Sequence, residues 1–195
     1  MFLQKDNIND AKIALDDGKI VGIPTETVYG LGVNPYSQEA VNRLFEIKER
    51  DDTKPVSLLI PSYSYLHKIK IHTDIPEVVD LYWPGPLTVV VETKEEFADG
   101  VGTTSPNSIG IRVPDNELAQ ELLKLTGPLA VTSANLSGQK EANNHEEAYE
   151  TFSDNVTYYI EGEAIHGDGS TVIDLRVSGG EILREGPLKW PPSYC

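Results

Sequence analysis

Short apolar runs recur along this chain, at 20–23, 56–60, 87–91, 109–113 and 129–132. Runs of this length are strand-sized, too short for helices. Stretches with helical periodicity separate several of them. A helix is expected over 8–17, ended by Gly18. Ser37 is placed to cap a helix that turns Ala40, Val41, Leu44, Phe45 and Ile47 to one face. Pro76 suits the first turn of a helix running to Tyr82. Asp115 is read as the cap of a helix with Leu118, Ala119, Leu122 and Leu123 inward, stopped at Gly127. Asn144 and Glu147 have capping-box spacing. Three further strands, 156–160, 171–175 and 181–183, then follow one another with no helix between the last two. Alternation early and consecutive strands late predict an α/β fold on a mixed sheet, not a regular doubly wound one. No repeat, low-complexity block or Pro/Gly/Ser linker divides the 195 residues, so one domain, 1–195, is expected.

Charge narrows the partners. Lys and Arg number 16 against 31 Asp and Glu, a formal net charge of -15. That balance opposes non-specific nucleic-acid binding, which needs cations to neutralise phosphates. The N-terminal residues have no apolar core of a signal peptide, and no apolar run approaches the roughly 20 residues of a membrane span. The one cysteine is Cys195, which alone builds neither a disulfide framework nor a thiolate metal site. A cytoplasmic location is expected.

Three polar segments stand beside buried strands. The first is Pro24-Thr25-Glu26-Thr27-Val28-Tyr29-Gly30-Leu31-Gly32, read as a loop leaving the strand at 20–23. The second, Lys48-Glu49-Arg50-Asp51-Asp52-Thr53-Lys54-Pro55, gathers three cations on one connection. They either grip an anion or satisfy a helix C-terminus, with the aspartates as partners. The third, Thr132-Ser133-Ala134-Asn135-Leu136-Ser137-Gly138, again follows an apolar run. It could hold a phosphate, ribose or amino acid, or make a local turn. Trp83-Pro84-Gly85-Pro86 reads as a rigid turn with a packed indole. The sequence has no phosphate-loop or dinucleotide fingerprint. The four histidines have no metal-ligand spacing, and no nucleophile elbow is present. An enzyme of this composition works by positioning and charge stabilisation.

Taken in order, these segments resemble the YrdC-type domain of threonylcarbamoyl-AMP synthases. The resemblance is carried by Pro24 to Gly32, Lys48-x-Arg50 with Lys54-Pro55, Trp83-Pro84-Gly85-Pro86-Leu87-Thr88, Arg112-Val113-Pro114, Ser133-Ala134-Asn135-x-Ser137-Gly138, Ser170-Thr171-Val172-x-Asp174 and Leu183-Arg184-x-Gly186. It spans about residues 8–188, leaving 189–195 as a tail that either folds over the site or is a plain end. It implies an open, twisted sheet of mixed strand direction with flanking helices. It also implies a reaction: L-threonine, bicarbonate or CO2, and ATP give L-threonylcarbamoyladenylate and pyrophosphate. The product serves the modification of tRNA beside the anticodon, so tRNA is met only indirectly, through a downstream threonylcarbamoyl transferase complex.

By the same resemblance, Thr25, Thr27 and Arg112 belong to the threonine side. Lys48, Arg50, Lys54, Ser108, Ser133, Asn135, Ser170 and Arg184 belong to the ATP side, and Lys48 and Arg50 act as positioning cations. Mg2+ is expected to arrive with ATP, without a site built from protein side chains. Many relatives carry Gly or a small neutral residue within or just after K-x-R, where this chain has Glu49, Asp51 and Asp52. Some carry a histidine soon after the match to Lys54-Pro55, and this chain does not. Two other readings use the same motifs. One is a non-catalytic relative that binds nucleotide or RNA. The other is carbamoyl transfer in hydrogenase maturation, against which the missing zinc-finger cysteines count.

Overall fold

The protein is described from a computed structural model over residues 1–4, 7–49, 56–102, 105 and 107–190. Ten strands form one sheet: β1 (Phe2–Leu3), β2 (Val21–Ile23), β3 (Gly30–Val33), β4 (Ser57–Leu59), β5 (Leu87–Glu92), β6 (Ser108–Arg112), β7 (Leu129–Ser133), β8 (Tyr158–Ile160), β9 (Thr171–Asp174) and β10 (Glu181–Arg184). Their order is β1-β8-β2-β3-β7-β4-β6-β5-β9-β10, with β1 and β10 as separate edges, so the sheet is open. Parallel and antiparallel pairings are interspersed, as in β4 beside β6 and β5 beside β6. Among the described residues the α-helices are α1 (Ile8–Asp16), α2 (Gln38–Ile47), α3 (Glu117–Thr126) and α4 (His145–Phe152).

Register explains where the layers sit. Gly30 and Ser133, Gly32 and Val131, Val131 and Ser57, Leu59 and Arg112, and Gly110 and Val90 are paired positions on one face. Helices α1 and α3 cover the apolar part of that face, packing Ala11, Leu15, Leu122 and Leu123 on Ile23, Leu59 and Leu129. The opposite face carries two further clusters. Leu31, Val33 and Ala130 meet α2 and α4 through Leu44, Phe45 and Phe152. Leu58, Val89 and Ile111 meet Val79 and Trp83. Each large aliphatic buried this way contributes about 1.5–3 kcal/mol relative to exposure. Toward β6 and β5 the first face changes to Ser57, Gly110, Arg112 and Thr88, and no helix among the described residues covers it there. Polar and small side chains leave the sheet open at that point.

Several elements differ from expectation. Residues 30–33 are a strand, not the end of a loop: Leu31 and Val33 are fully buried on one face, while glycines alternate on the other against Val131 and Ile23. The loop is thus the turn of a β2–β3 hairpin. Asn116, not Asp115, caps α3, its side chain accepting from Leu118 N and Ala119 N at 3.1 Å each. The Asp115 N–H is directed elsewhere, to Glu26 Oε2 at 3.0 Å. The segment Glu77–Tyr82 is a 3-10 helix, with Val79 its one buried residue; one apolar anchor gives no α-helical face to bury. Ser37 and Asn144 do cap α2 and α4, although the Glu147 carboxylate reaches back to Asn143 N instead of Asn144 N.

Candidate active site

The uncovered part of the sheet is the floor of a cleft. Thr25, Thr27, Arg112, Ser133, Ser170 and Arg184 line it, together with Ser57, Thr88, Thr132, Glu141 and Gly169. A Cβ on Gly110 would lie 3.1 Å from Ser57 Oγ and 3.2 Å from Thr88 Cγ2, so glycine there keeps the floor flat between two hydroxyl residues.

The two threonines of the hairpin loop do different work. Thr25 Oγ1 donates to Val28 O at 2.6 Å and accepts from Thr27 N and Val28 N at 3.3 Å, closing the turn. Thr27 Oγ1 lies 3.0 Å from Thr25 Oγ1 and accepts from Arg112 Nη1 at 2.8 Å. Arg112, 6% exposed, also donates Nε–H to Gly85 O at 3.1 Å, the carbonyl presented by the Trp83-Pro84 turn. Its Nη2 lies 2.7 Å from Glu26 Oε1, a buried ion pair. Burial draws the Arg112 guanidinium below its ordinary pKa. Glu26 counteracts that, and the nearby charge of Arg184 adds to it.

Arg184 closes the opposite wall. From edge strand β10 its Nε donates to Ser170 O at 2.9 Å and Nη2 to Ser170 Oγ at 3.1 Å. Ser170 Oγ in turn lies 2.7 Å from Thr88 Oγ1. A Cβ on Gly169 would stand 3.0 Å from the guanidinium, so glycine makes room for it.

Lys48 lies at the C-cap of α2, 1% exposed, and does not line the cleft. Its Nζ donates to the carbonyls of Ser133 and of Asn135, the latter at 2.6 Å. The Lys48 carbonyl accepts from Ser137 N at 3.1 Å. Asn135 turns inward to its own loop, donating to Leu136 O and Gln139 O at 2.9 Å each, while Ser133 Oγ donates to Asn135 Oδ1 at 2.6 Å. The S-x-N segment is thus a loop tied to α2 that brings Ser133 to the cleft wall. Ser108 sits at the far end of β6 from Arg112, about 13 Å along the strand at ~3.3 Å per residue, and donates to Ser105 O. Arg50, Lys54 and the end of the tail, 191–195, lie outside the described residues. Thr88, Ser57 and Glu141 were not singled out as ligand-facing. The signal available for Thr88 and Ser57 was a hydroxyl among apolar strand residues.

Comparison with known proteins places this geometry. The Sua5_yciO_yrdC family model, described as "Telomere recombination", matches residues 13–186. A threonylcarbamoyl-AMP synthase of Pyrococcus abyssi is 38% identical over 178 residues, 88% of this chain and 52% of that protein. The chain therefore spans about half of that relative. A threonylcarbamoyl-AMP synthase of Vibrio campbellii is 32% identical over 186 residues, 92% of this chain and 99% of that protein. Among solved structures, P. abyssi Sua5 complexed with L-threonine superposes with a TM-score of 0.85 at 32% identity, covering 94% of this chain and 57% of that one.

Proposed function

The chain belongs to the Sua5/YciO/YrdC family, and on that premise we propose that it is a threonylcarbamoyl-AMP synthase, joining L-threonine, bicarbonate or CO2, and ATP. The observation that carries the proposal is the convergence of Thr25, Thr27, Arg112, Ser133, Ser170 and Arg184 on one cleft, in a fold like that of a protein solved with L-threonine. The threonine amine takes up CO2 and loses a proton, giving a carbamate. A carbamate oxygen then attacks the α-phosphorus of ATP, and pyrophosphate leaves with the electron pair of the broken P–O bond. No protein nucleophile is required. The catalyst must hold two anions together and oppose the charge on the triphosphate.

In this reading Arg112 and Thr27 receive the threonine carboxylate, and Thr25 keeps the turn that presents Thr27. Ser133, Ser170 and Arg184 face the nucleotide. Lys48 fixes the Ser133 loop, with Arg50 and Lys54 supplying phosphate charge from the adjoining connection. Mg2+ would come with ATP and would offset triphosphate charge. Oxygen donors suit this hard cation, and the cleft wall offers Ser and Thr hydroxyls with Glu141 at its rim. Phosphate oxygens and water would complete its ligands. The product passes to a threonylcarbamoyl transferase in the cytoplasm, with tRNA met only at that later step.

The test is threonine- and bicarbonate-dependent release of pyrophosphate from ATP by the purified protein. Release that requires all three substrates is expected. A folded sample that binds ATP without such release overturns the proposal in favour of a binding protein.

A further inference from the structure

Glu26 is 2% exposed and joins several of the segments that build the cleft. Its carboxylate meets Arg112 Nη2 at 2.7 Å through Oε1 and accepts from Asp115 N at 3.0 Å through Oε2. Its backbone carbonyl accepts from Ile165 N at 3.0 Å and His166 N at 2.9 Å, and the next carbonyl, of Thr27, accepts from Gly167 N at 2.9 Å. The hairpin loop, the end of β6, the entry to α3 and the loop leading to Ser170 thus all meet at one side chain and its peptide.

A buried ion pair is weak evidence of stabilisation, because desolvating both charges offsets most of their attraction. An apolar pair of the same volume would hold these segments at least as well. What an apolar pair could not do is fix the plane of a guanidinium. Arg112 has partners on three sides: Gly85 O at Nε, Thr27 Oγ1 at Nη1 and Glu26 at Nη2. Its remaining N–H groups are thereby set in one orientation at the cleft wall. From this geometry we infer that Glu26 is a positioning residue, which orients Arg112 for the carboxylate of the amino-acid substrate without touching that substrate. The inference rests on the synthase reading, in which Arg112 meets that carboxylate. Glu26 also compensates the buried positive charge, so Arg112 binds by aimed donors more than by net charge.

The experiment compares the Michaelis constants of wild type, Glu26→Gln and Glu26→Asp for threonine and for ATP, with thermal denaturation of each. Glu26→Gln keeps the shape and an acceptor for Asp115 N but removes the charge. Its KM for threonine is expected to rise roughly tenfold, with KM for ATP within about twofold of wild type. In an Arg112→Lys background the same change adds no further rise, because the effect passes through the guanidinium. A merely structural Glu26 would lower kcat with the active fraction and leave both KM values alone. Should Glu26→Gln not fold, Glu26→Asp keeps the charge but falls short by one methylene, and a severalfold rise for threonine alone is expected. An unchanged threonine KM in the folded variant overturns the inference while wild-type turnover leaves the synthase reading standing. Wild type without threonine-dependent turnover overturns both.

Discussion

The Lys48 ammonium lies 2.6 Å from the carbonyl oxygen of Asn135, with the Ser133 carbonyl as a second partner. A cation from the end of one helix thereby fastens the loop that follows a central strand. Lys48→Met should remove the ammonium partner of both carbonyls, of which Ser133 O also accepts from Asn135 N at 3.1 Å, in a site that is 1% exposed. A loss on the order of 2–3 kcal/mol is expected, read from urea denaturation, together with loss of pyrophosphate release. Undiminished stability with lost activity would instead assign Lys48 to substrate alone.

Asn116 accepts two backbone N–H groups at the start of α3, and Asp115 accepts none there. Asn116→Ala is expected to lower stability by about 1 kcal/mol. Asp115→Ala, which keeps the N–H that binds Glu26, should change it by less than about 0.5 kcal/mol. Equal effects in chemical denaturation would contradict the assigned cap.

Glu49 has φ +48°, in the left-handed region that favours glycine. Glu49→Gly should therefore be neutral or stabilising, since relief of strain offsets the entropy glycine loses on folding. Glu49→Val should cost about 1–2 kcal/mol. Thermal denaturation of the two variants checks the order.

Side-chain hydrogen bonds from Arg176 hold the Asp174 carboxyl below its ordinary pKa, against the opposing effect of burial. Folded Asp174 thus binds a proton less readily than unfolded Asp174. The stabilisation is full above the unfolded value of about 3.9 and is lost as pH falls through the folded value. Arg176→Ala should be less stable than wild type near neutral pH, and the gap in urea midpoint should close in acid. A gap that widens below about pH 4 would give the coupling the wrong sign.

Periodicity and capping residues made much of the fold legible. Apolar runs located most strands, and helical spacing located α1 to α4, because each such element must bury one face. The misreadings fall where local chemistry had a tertiary competitor. Gly30-Leu31-Gly32 reads as loop by composition but belongs to a strand, since its neighbours press side chains into the space glycine leaves. Asp115 is an ordinary cap residue by type, yet the Asn116 side chain takes the first N–H groups of α3, while Glu26, 89 positions away, holds the Asp115 N–H.

The sequence by itself determined that hydroxyl-bearing segments follow buried strands, that cations stand between a helix and a strand, and that their order matches one family. Those are facts of residue type and spacing. Only the tertiary structure decided which side chains share a surface. Thr27 meets Arg112 across 85 residues, and Thr88 meets Ser170 across 82. The same structure turns Lys48 toward the backbone carbonyls of Ser133 and Asn135. The reason is strand pairing: register and face are set by contacts between distant segments, and a one-residue slip would turn every one of these hydroxyls to the other side of the sheet.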